Sequence, residues 1–277
     1  MKIGIIGLGL IGGSLAKAIK LHTKHTVLGF DISEDELRRA ELTEAIDGRL
    51  DDANLPQCEL VLVALYPHDT VRFITENADR FGEGALVIDC GGVKRFVEDE
   101  LRDVTAGRPW HFIGGHPMAG REYSGFRHAR DDLFENASML LVPDGTVPIE
   151  ARSFAKEFFL AIGFARVVFT TPETHDEMIA YTSQLAHIIS NAYIRSDFAM
   201  KHRGFSSNSF QDMTRVARIN ARMWTELFLL NKEPLTEELD GLIARLADIR
   251  DAIVKNDEAR LEGLLKEGNE RKELLDN

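Results

Sequence analysis

The sequence predicts an α/β fold in two parts, an N-terminal doubly wound sheet and a C-terminal all-α domain. Short apolar runs alternate with amphipathic stretches as far as residue 171, which is the pattern of parallel strands joined by helices. The first apolar run ends in a glycine-rich turn, and beyond residue 171 no segment has the pattern of a strand. We therefore expect two domains, residues 1–171 and residues 172–277.

The first element is a β-type run that leads into Gly-x-Gly-x-x-Gly, and a helical pattern opens directly after it. Gly7 permits the tight turn, Gly9 lets a pyrophosphate approach the backbone, and Gly12 lets helix and strand pack closely. The N-terminus of the helix then offers free N–H groups to the phosphates. This combination predicts a Rossmann-type dinucleotide-binding domain.

The second apolar run ends at Asp31, at the distance of about 20 residues that dinucleotide-binding domains show. A carboxylate there accepts hydrogen bonds from ribose hydroxyls and repels a 2′-phosphate, and no arginine follows at once to bind one. The sequence therefore favours NAD over NADP. The expected cofactor-binding residues are Gly7, Gly9, Leu10, Ile11, Gly12, Asp31, Leu65, Tyr66 and Thr70.

The later elements follow from the same periodicities. Further strands are expected at 59–64, 85–89, 110–114, 139–142 and 165–169, with helices that include 34–42 and 149–162. After the domain boundary the expected helices are 173–201, 210–219, 221–230, 237–255 and 257–274. The last two carry many charges beside regular leucine and isoleucine positions, which is typical of a packed amphipathic bundle.

The composition is that of a folded chain of 277 residues, 44% hydrophobic and 28% charged. Its net charge of −12 argues against a nucleic-acid partner, because surfaces that bind nucleic acid are normally basic. Cys58 and Cys90 form neither a metal-type spacing nor a disulfide framework, so we expect no metal and a reducing compartment. No apolar run nears the roughly 20 residues of a membrane span. We expect a cytoplasmic protein without a signal peptide or a membrane partner.

His116 follows the strand expected at 110–114. Ligands of open α/β sheets bind at the carboxyl ends of the strands, so this imidazole should lie near the nicotinamide. It could accept a proton from a substrate hydroxyl while hydride leaves the same carbon. Position alone equally allows a loop histidine that only hydrogen-bonds backbone groups.

A polar stripe runs along the helix expected over 173–201. Its members are spaced by three or four residues among apolar neighbours, and they are Asp176, Ala180, Ser183, His187 and Asn191. Such a stripe on a helix otherwise suited to burial should face a wet cavity or a polar partner. On spacing alone, a hydrogen-bonded core histidine at position 187 is the favoured alternative.

Three segments are similar to sequence elements of the prephenate dehydrogenase family. They are His116-Pro117-Met118-Ala119-Gly120-x-Glu122-x-Ser124-Gly125, the segment from Phe210 to Arg215, and the segment from Met223 to Asn231. The likeness covers nearly the whole chain. It implies an enzyme of tyrosine synthesis that converts prephenate to 4-hydroxyphenylpyruvate by oxidative decarboxylation, with NAD as hydride acceptor. It also implies a homodimer formed through the helical half.

The resemblance assigns roles to individual residues. His116 would receive the hydrogen bond from the C4 hydroxyl of prephenate, Arg215 would hold a substrate carboxylate, and His187 would face the pyruvyl side chain. Asp212 would orient Arg215, although their spacing also allows a plain surface ion pair. The catalytic candidates are therefore His116, His187 and Arg215. The substrate-binding candidates are Gly92, Arg121, Glu122, Ser183 and Asp212.

Three positions depart from the common pattern of the family. Gly92 stands where many members have a serine that helps to hold the substrate hydroxyl, and Gln184 stands where many have a histidine. Arg121 replaces a small polar residue. If Arg121 faces the pocket, its charge favours prephenate over arogenate, whose side chain carries an ammonium group. Glu122 matches an acidic residue of the active-site loop, to which we assign no chemistry.

The alternatives are an arogenate dehydrogenase, a β-hydroxyacid dehydrogenase and a non-catalytic NAD-sensing module. A β-hydroxyacid dehydrogenase uses a lysine in its helical half, and no lysine lies on the polar stripe. An NAD-sensing module would not need His116, His187 and Arg215 to converge. The decisive expectation is that an imidazole from the first half and a guanidinium from the second border a shared cleft.

Overall fold

The computed structural model describes residues 1–121 and 123–276. Residues 1–231 form one compact unit, which contains the sheet and the candidate site, and residues 232–277 form a second. The strands are β1 (Lys2–Ile6), β2 (Thr26–Phe30), β3 (Gly48–Arg49), β4 (Leu60–Val63), β5 (Leu86–Asp89), β6 (His111–Pro117), β7 (Ser138–Pro143) and β8 (Arg166–Phe169). They form one sheet in the order β3-β2-β1-β4-β5-β6-β7-β8.

Helices alternate with the strands in the first part of the chain and replace them afterwards. In the first part they are α1 (Leu10–His22), α2 (Glu34–Leu42), α3 (Pro67–Asn77), α4 (Arg95–Thr105) and α5 (Ile149–Ala161). The later helices are α6 (Pro172–Ile179), α7 (Leu185–Ile194), α8 (Asn208–Thr214), α9 (Ala221–Leu230), α10 (Lys232–Val254) and α11 (Glu258–Asp276).

The sheet is mostly parallel and doubly wound, which confirms the predicted fold class. The side chains of β4 and β5 are buried along their whole length, as expected for central parallel strands that helices cover on both faces. Only β7 runs against its neighbour, and it places Leu140 opposite His116 on β6. The short strand β3, which pairs with the end of β2, has too few residues to show a periodicity.

The carboxyl ends of β1, β4, β5 and β6 meet at one edge of the sheet, because these strands are parallel. The strand expected at 110–114 extends to Pro117, since residues 113–117 pair with β7. His116 therefore lies within β6, at its carboxyl end, where pairing on one side holds its backbone. This edge is where the fold class binds its ligands.

The single helix expected over 173–201 is wrong, because the structure divides this segment. Helix α6 passes into a π-helical turn, Ala180–Gln184, and continues as α7 as far as Ile194. A π turn inserts one residue into the helical repeat and rotates everything after it. As a result Asp176 and His187 do not share one uninterrupted stripe.

Three general features of the described residues bear on the site. No helix among them combines the length and the apolar character that crossing a membrane requires. Residues 1–121 and 123–276 contain no cluster of His, Cys, Asp or Glu suited to holding a metal ion. Cys58 and Cys90 are both buried free thiols.

Candidate active site

The turn between β1 and α1 has the geometry that a pyrophosphate needs. Gly7 has φ +85°, a conformation that favours glycine. A Cβ on Gly12 would stand 1.8 Å from the Gly7 carbonyl oxygen, so only glycine fits there. A Cβ on Gly9 would have no heavy atom within 4 Å. The backbone at Gly9 is thus open to an approaching ligand, ahead of Leu10 and Ile11 in the first turn of α1.

Asp31 lies just beyond β2 with its carboxylate fixed by two backbone groups. The N–H of Leu8 donates to one oxygen at 2.7 Å, and the N–H of Ser33 donates to the other at 2.8 Å. These bonds hold the carboxylate beside the glycine turn. The arrangement fits the ribose of a dinucleotide whose pyrophosphate lies at the N-terminus of α1.

The three remaining cofactor candidates follow β4. Leu65 borders the glycine turn, because its Cδ2 lies 2.8 Å from where a Cβ on Gly7 would stand. The phenolic oxygen of Tyr66 is 3.4 Å from the side-chain nitrogen of Asn220, which donates to it. Thr70 is fully buried in α3, and among the described residues its Oγ1 has no hydrogen-bond partner. A contact between Thr70 and the cofactor therefore stays a prediction.

His116 is one end of a chain of three side chains. Its Nδ1 lies 2.9 Å from Nε2 of His175, and Nδ1 of His175 lies 2.7 Å from Oδ1 of Asp176. His175 and Asp176 are buried, whereas His116 is partly accessible. The contact to His175 occupies the Nδ1 edge of the His116 ring and leaves Nε2 for another partner.

Asp176 also ties α6 to the start of α4. Its Oδ1 accepts the N–H of Lys94 at 2.8 Å, and its Oδ2 accepts the N–H of Arg95 at 3.0 Å. The guanidinium Nε of Arg95 is 3.6 Å from Oδ2. These contacts satisfy both oxygens of the buried carboxylate.

A buried ion pair lies beneath the imidazoles. Lys94 Nζ contacts Asp89 Oδ2, and both side chains are fully buried. Asp89 also accepts the N–H of Gly91 at 2.8 Å and the N–H of Gly115 at 3.0 Å. The pair therefore fixes the ends of β5 and β6 relative to each other and places a positive charge near His116.

The three histidines of the site all have lowered pKa values. Burial lowers the pKa of His116 well below its ordinary value of 6.5, and His175 and Lys94 add to the effect. Burial is also the largest cause for His175, where Asp176 acts in the opposite direction. For His187 burial again comes first, opposed by the carbonyl of Ser183. All three rings are therefore neutral near pH 7, which suits a base that must accept a proton.

Helix α9 connects His116 with His187. Trp224 stacks on the His187 ring with a centroid distance of 4.0 Å. Leu227, which lies on the same face three residues later, packs 3.3 Å from where a Cβ on Gly92 would stand. That Cβ on Gly92 would also be 3.9 Å from Cε1 of His116. One face of α9 thus borders both histidines.

One ring nitrogen of His187 is bonded to the preceding turn of its own segment. Its Nδ1 lies 2.9 Å from the carbonyl oxygen of Ser183 and donates to it, which leaves Nε2 free to meet a ligand. Ser183 therefore contributes its backbone to the site through His187. The bonded Nδ1 agrees with the alternative of a hydrogen-bonded core histidine. The ring is only half-buried, so its second nitrogen can still accept a hydrogen bond.

Arg215 directly follows α8 and is exposed. Its charge lowers the pKa of His187, after the larger effects of burial and of the Ser183 carbonyl, so the guanidinium lies within electrostatic reach of that ring. Asp212 makes no hydrogen bond or ion pair with Arg215 in the part of the chain that the structure describes. The hypothesis that Asp212 orients Arg215 therefore has no supporting contact.

A cavity of about 380 Å³ adjoins the stacked pair of His187 and Trp224. It lies between α7 and α9, and its lining consists of Asn191, Ala217, Arg218, Ile219, Ala221, Trp224, Thr225 and Phe228. Arg218 also lies over the ring of Tyr123, with 5.4 Å between the guanidinium carbon and the ring centre. The loop after β6 thus reaches the helical segment beside this cavity.

The positions that depart from the family pattern have different surroundings. Gln184 is buried and structural, because its Oε1 accepts from the side-chain amide of Asn231 at 2.8 Å. Arg121 is exposed, and its charge is a minor contributor to the lowered pKa of Asp132, for which Arg130 is the main cause. Among the described residues, no contact places Arg121 in the pocket. Glu122 lies outside the described residues.

Sequence reasoning missed the partners of the catalytic candidates. The sequence pattern does not mark His175, and it marks Asp176 only as part of the polar stripe. An adjacent histidine and aspartate near the middle of a helix is the available signal, although nothing local shows what such a pair faces. Trp224 lies in the segment from Met223 to Asn231, for which the resemblance gives this residue no role. Its stacking on His187 is visible only in the tertiary structure.

These features define a class. The fold and the site are those of a dinucleotide-dependent dehydrogenase. They combine a doubly wound sheet with an open glycine turn, a fixed carboxylate after β2 and a neutral imidazole at the carboxyl edge. Two family models match the chain, the nucleotide-binding domain of prephenate dehydrogenase over residues 15–169 and its dimerization domain over residues 171–267. The chain belongs to the prephenate dehydrogenase family.

Individual proteins agree with this assignment. The chain is 31% identical to prephenate dehydrogenase of Bacillus subtilis, over 93% of this chain and 71% of that protein. It is 33% identical to cyclohexadienyl dehydrogenase of Zymomonas mobilis, over 92% of this chain and 89% of that protein. The crystal structure of prephenate dehydrogenase from Aquifex aeolicus, in complex with hydroxyphenyl propionate and NAD⁺, gives a TM-score of 0.88. That match has 27% identity and covers 99% of this chain and 98% of the other.

Proposed function

We propose that this protein oxidises and decarboxylates prephenate to 4-hydroxyphenylpyruvate with NAD as the hydride acceptor. The observation that carries the proposal is the neutral imidazole of His116, held at the carboxyl edge of the sheet with Nε2 left for a substrate. Membership of the prephenate dehydrogenase family supplies the substrate class.

The reaction needs a hydrogen-bond acceptor at the C4 hydroxyl. When hydride leaves C4, the O–H bond weakens, and Nε2 of His116 accepts the proton of the hydroxyl. Loss of the C1 carboxylate as carbon dioxide then makes the ring aromatic. The proton returns to the oxygen, so that the products are 4-hydroxyphenylpyruvate, carbon dioxide and the reduced cofactor.

The first domain fits NAD at residues that are already arranged for it. Gly9 leaves the backbone open to the pyrophosphate, and Asp31 presents a fixed carboxylate to the ribose hydroxyls. The bound cofactor would supply a carbon that accepts hydride. The same carboxylate would repel a 2′-phosphate, which supports NAD over NADP.

The second domain offers the groups that fit the carboxylates of the substrate. Arg215 carries a planar cation near His187, and a guanidinium pairs well with a carboxylate in a bidentate manner. The ring of His187 stacks on Trp224 of α9, and its Nε2 is not used by the bond to Ser183. We propose that these two residues hold the pyruvyl end while His116 meets the hydroxyl end.

The activity is tested by mixing the protein with NAD and prephenate and following NADH absorbance and 4-hydroxyphenylpyruvate formation. The variant His116→Gln should lower kcat by on the order of 10²–10⁴-fold. His111→Gln is the matched control, because His111 lies at the opposite end of the same strand. Absence of turnover by the parent protein would refute the proposal, and a higher kcat/KM for arogenate would make it an arogenate dehydrogenase.

We also propose that residues 1–171 form the NAD-binding domain and residues 172–277 the substrate-binding and dimerisation domain. The two family models meet at residues 169 and 171, which supports this boundary. The match to the dimerization domain of the family supports a homodimer. The buried free thiols Cys58 and Cys90 are compatible with the reducing cytoplasm, which we propose as the location.

A further inference from the structure

We propose that His175 and Asp176 are positioning residues that fix the tautomer of His116, so that Nε2 of His116 always presents its lone pair to the substrate. The inference rests on the proposed function, because it explains how that imidazole becomes a base. It concerns two buried side chains that touch neither the glycine turn nor the cavity beside Trp224.

The first step concerns the proton on His175. The two oxygens of Asp176 accept the backbone N–H groups of Lys94 and Arg95. A carboxylate offers only acceptors, and Oδ1 lies 2.7 Å from Nδ1 of His175. His175 therefore carries its proton on Nδ1, since the other tautomer would set two lone pairs against each other.

The second step passes this preference to His116. A neutral His175 with its proton on Nδ1 has a lone pair on Nε2. Nδ1 of His116 lies 2.9 Å from that lone pair and must donate to it. His116 is then protonated on Nδ1 and bare on Nε2, which is the form that a general base at the substrate hydroxyl requires.

Burial favours this neutral state over a doubly protonated His175, and the charged groups around the relay act in both directions. Lys94 acts against a second cation from the β5–α4 connection, while Asp89 and Asp176 act in its favour from β5 and α6. Burial of His175 is larger than any of these effects and keeps the ring neutral. When His116 takes up a proton on Nε2, it keeps its Nδ1–H bond to His175.

The relay joins the two halves of the enzyme. His116 belongs to the segment matched by the nucleotide-binding model, whereas His175 and Asp176 belong to the segment matched by the dimerization model. The base therefore acquires its working tautomer only when α6 is packed against β6 and the start of α4.

The direct test is long-range ¹H–¹⁵N NMR of the histidine rings in the substrate-free protein, with His116 assigned by the variant His116→Gln. We expect protonation on Nδ1 of His116 in the parent protein. His175→Leu removes the acceptor and should shift the proton toward Nε2. His175→Gln keeps a side-chain oxygen near the former Nε2 and should retain protonation on Nδ1.

The kinetic test uses the same pair of variants. His175→Leu should lower kcat on the order of 10²-fold with less than about a threefold change in KM for prephenate, and His175→Gln should restore most of the loss. Protonation of parent His116 on Nε2, or equal behaviour of the two variants, overturns the relay. The parent tautomer decides the matter if His175→Leu does not fold. Because NMR needs no substrate, an inactive enzyme with the expected tautomer would refute the proposed function alone.

Discussion

At the scale of single residues, the site depends on the neutral state of the His116 ring. The ring is neutral because burial, His175 and Lys94 all disfavour its cation. A base of this kind works at any pH above its own pKa, so the lowered pKa widens the active range toward acid. The cost is that the imidazole has a weaker intrinsic affinity for the proton.

The pH dependence of kcat/KM follows from the direction of that shift. The rate should fall when His116 becomes protonated, and the lowered pKa places this fall below pH 6.5. A kcat/KM profile for prephenate, measured with saturating NAD, should stay level from pH 7 to pH 6.5 and decline in more acidic solution. A decline centred above pH 6.5 would contradict the assignment of a buried neutral base.

Gly92 offers a second residue-scale prediction. A Cβ there would meet Leu227 at 3.3 Å and would lie 3.9 Å from Cε1 of His116, so a small side chain fits if Leu227 shifts slightly. A serine hydroxyl would reach the region of the substrate hydroxyl. We expect Gly92→Ser to lower KM for prephenate by about 2–10-fold relative to Gly92→Ala, since one hydrogen bond contributes about 0.5–1.5 kcal/mol.

The alanine variant supplies the control for that comparison, because it adds the same Cβ without a hydroxyl. Equal KM values for the two variants, measured by steady-state kinetics with prephenate, would show that the hydroxyl reaches no substrate group.

At the scale of elements, the glycine turn and the strands could be predicted, because each is determined by residues adjacent in sequence. The open Gly9 and the crowded Gly12 are both within one β–turn–α unit. The π turn at Ala180–Gln184 could not be predicted, because it depends on packing. Its buried Gln184 bonds to Asn231, which is 47 residues further along the chain.

The glycine turn allows a paired prediction about the two roles of glycine. Gly9→Ala should fold normally, because its Cβ meets no heavy atom within 4 Å, yet it should raise KM for NAD at least about tenfold by obstructing the pyrophosphate. Gly12→Ala should instead lower the free energy of unfolding by about 1–3 kcal/mol or more, because its Cβ would overlap the Gly7 carbonyl.

Denaturant unfolding and NAD kinetics on both variants separate these effects. A Gly9→Ala protein with unchanged KM for NAD would place the pyrophosphate elsewhere.

Helix α4 carries a half-buried acid that links stability to pH. Burial raises the pKa of Glu98 to about 7, against an attraction from Lys94, and its Oε1 has no hydrogen-bond partner. Between pH 4.5 and 7 the folded protein therefore binds more protons than the unfolded chain, so this group makes stability fall as pH rises. Glu98→Gln removes the effect.

The expected result is a Tm higher than that of the parent by about 2–4 °C at pH 8, with little difference at pH 4.5. This corresponds to about 1 kcal/mol, a value reduced because the group is partly exposed. Glu100→Gln is the matched control, since Glu100 lies exposed on the same helix. A Tm difference for Glu98→Gln that does not depend on pH would mean that folding does not shift the pKa of this carboxyl.

At the scale of the whole molecule, the site is assembled from segments far apart in sequence. His116 and His175 are 59 residues apart, and sequence periodicity gives the face of each helix but not the element that it meets. The sequence could therefore nominate His116 and His187 singly, whereas the relay and the stacking on Trp224 needed the packed chain. The resemblance supplied Arg215, which spacing alone would have left as a surface cation.

The homodimer is the remaining prediction at this scale. Within residues 232–277, α10 exposes Ile243, Leu246 and Ile253, each with more than half of its surface accessible. Their spacing of three and seven residues places them near one face of the helix, and such an apolar stripe needs a partner. We expect light scattering to give twice the mass of the chain, and the variant Leu246→Glu/Ile253→Glu to give a monomer. Leu42→Glu, at an exposed apolar position on α2, should leave the dimer intact. A parent protein that is monomeric at micromolar concentration would refute the dimer, and a double variant that stays dimeric would move the interface away from α10.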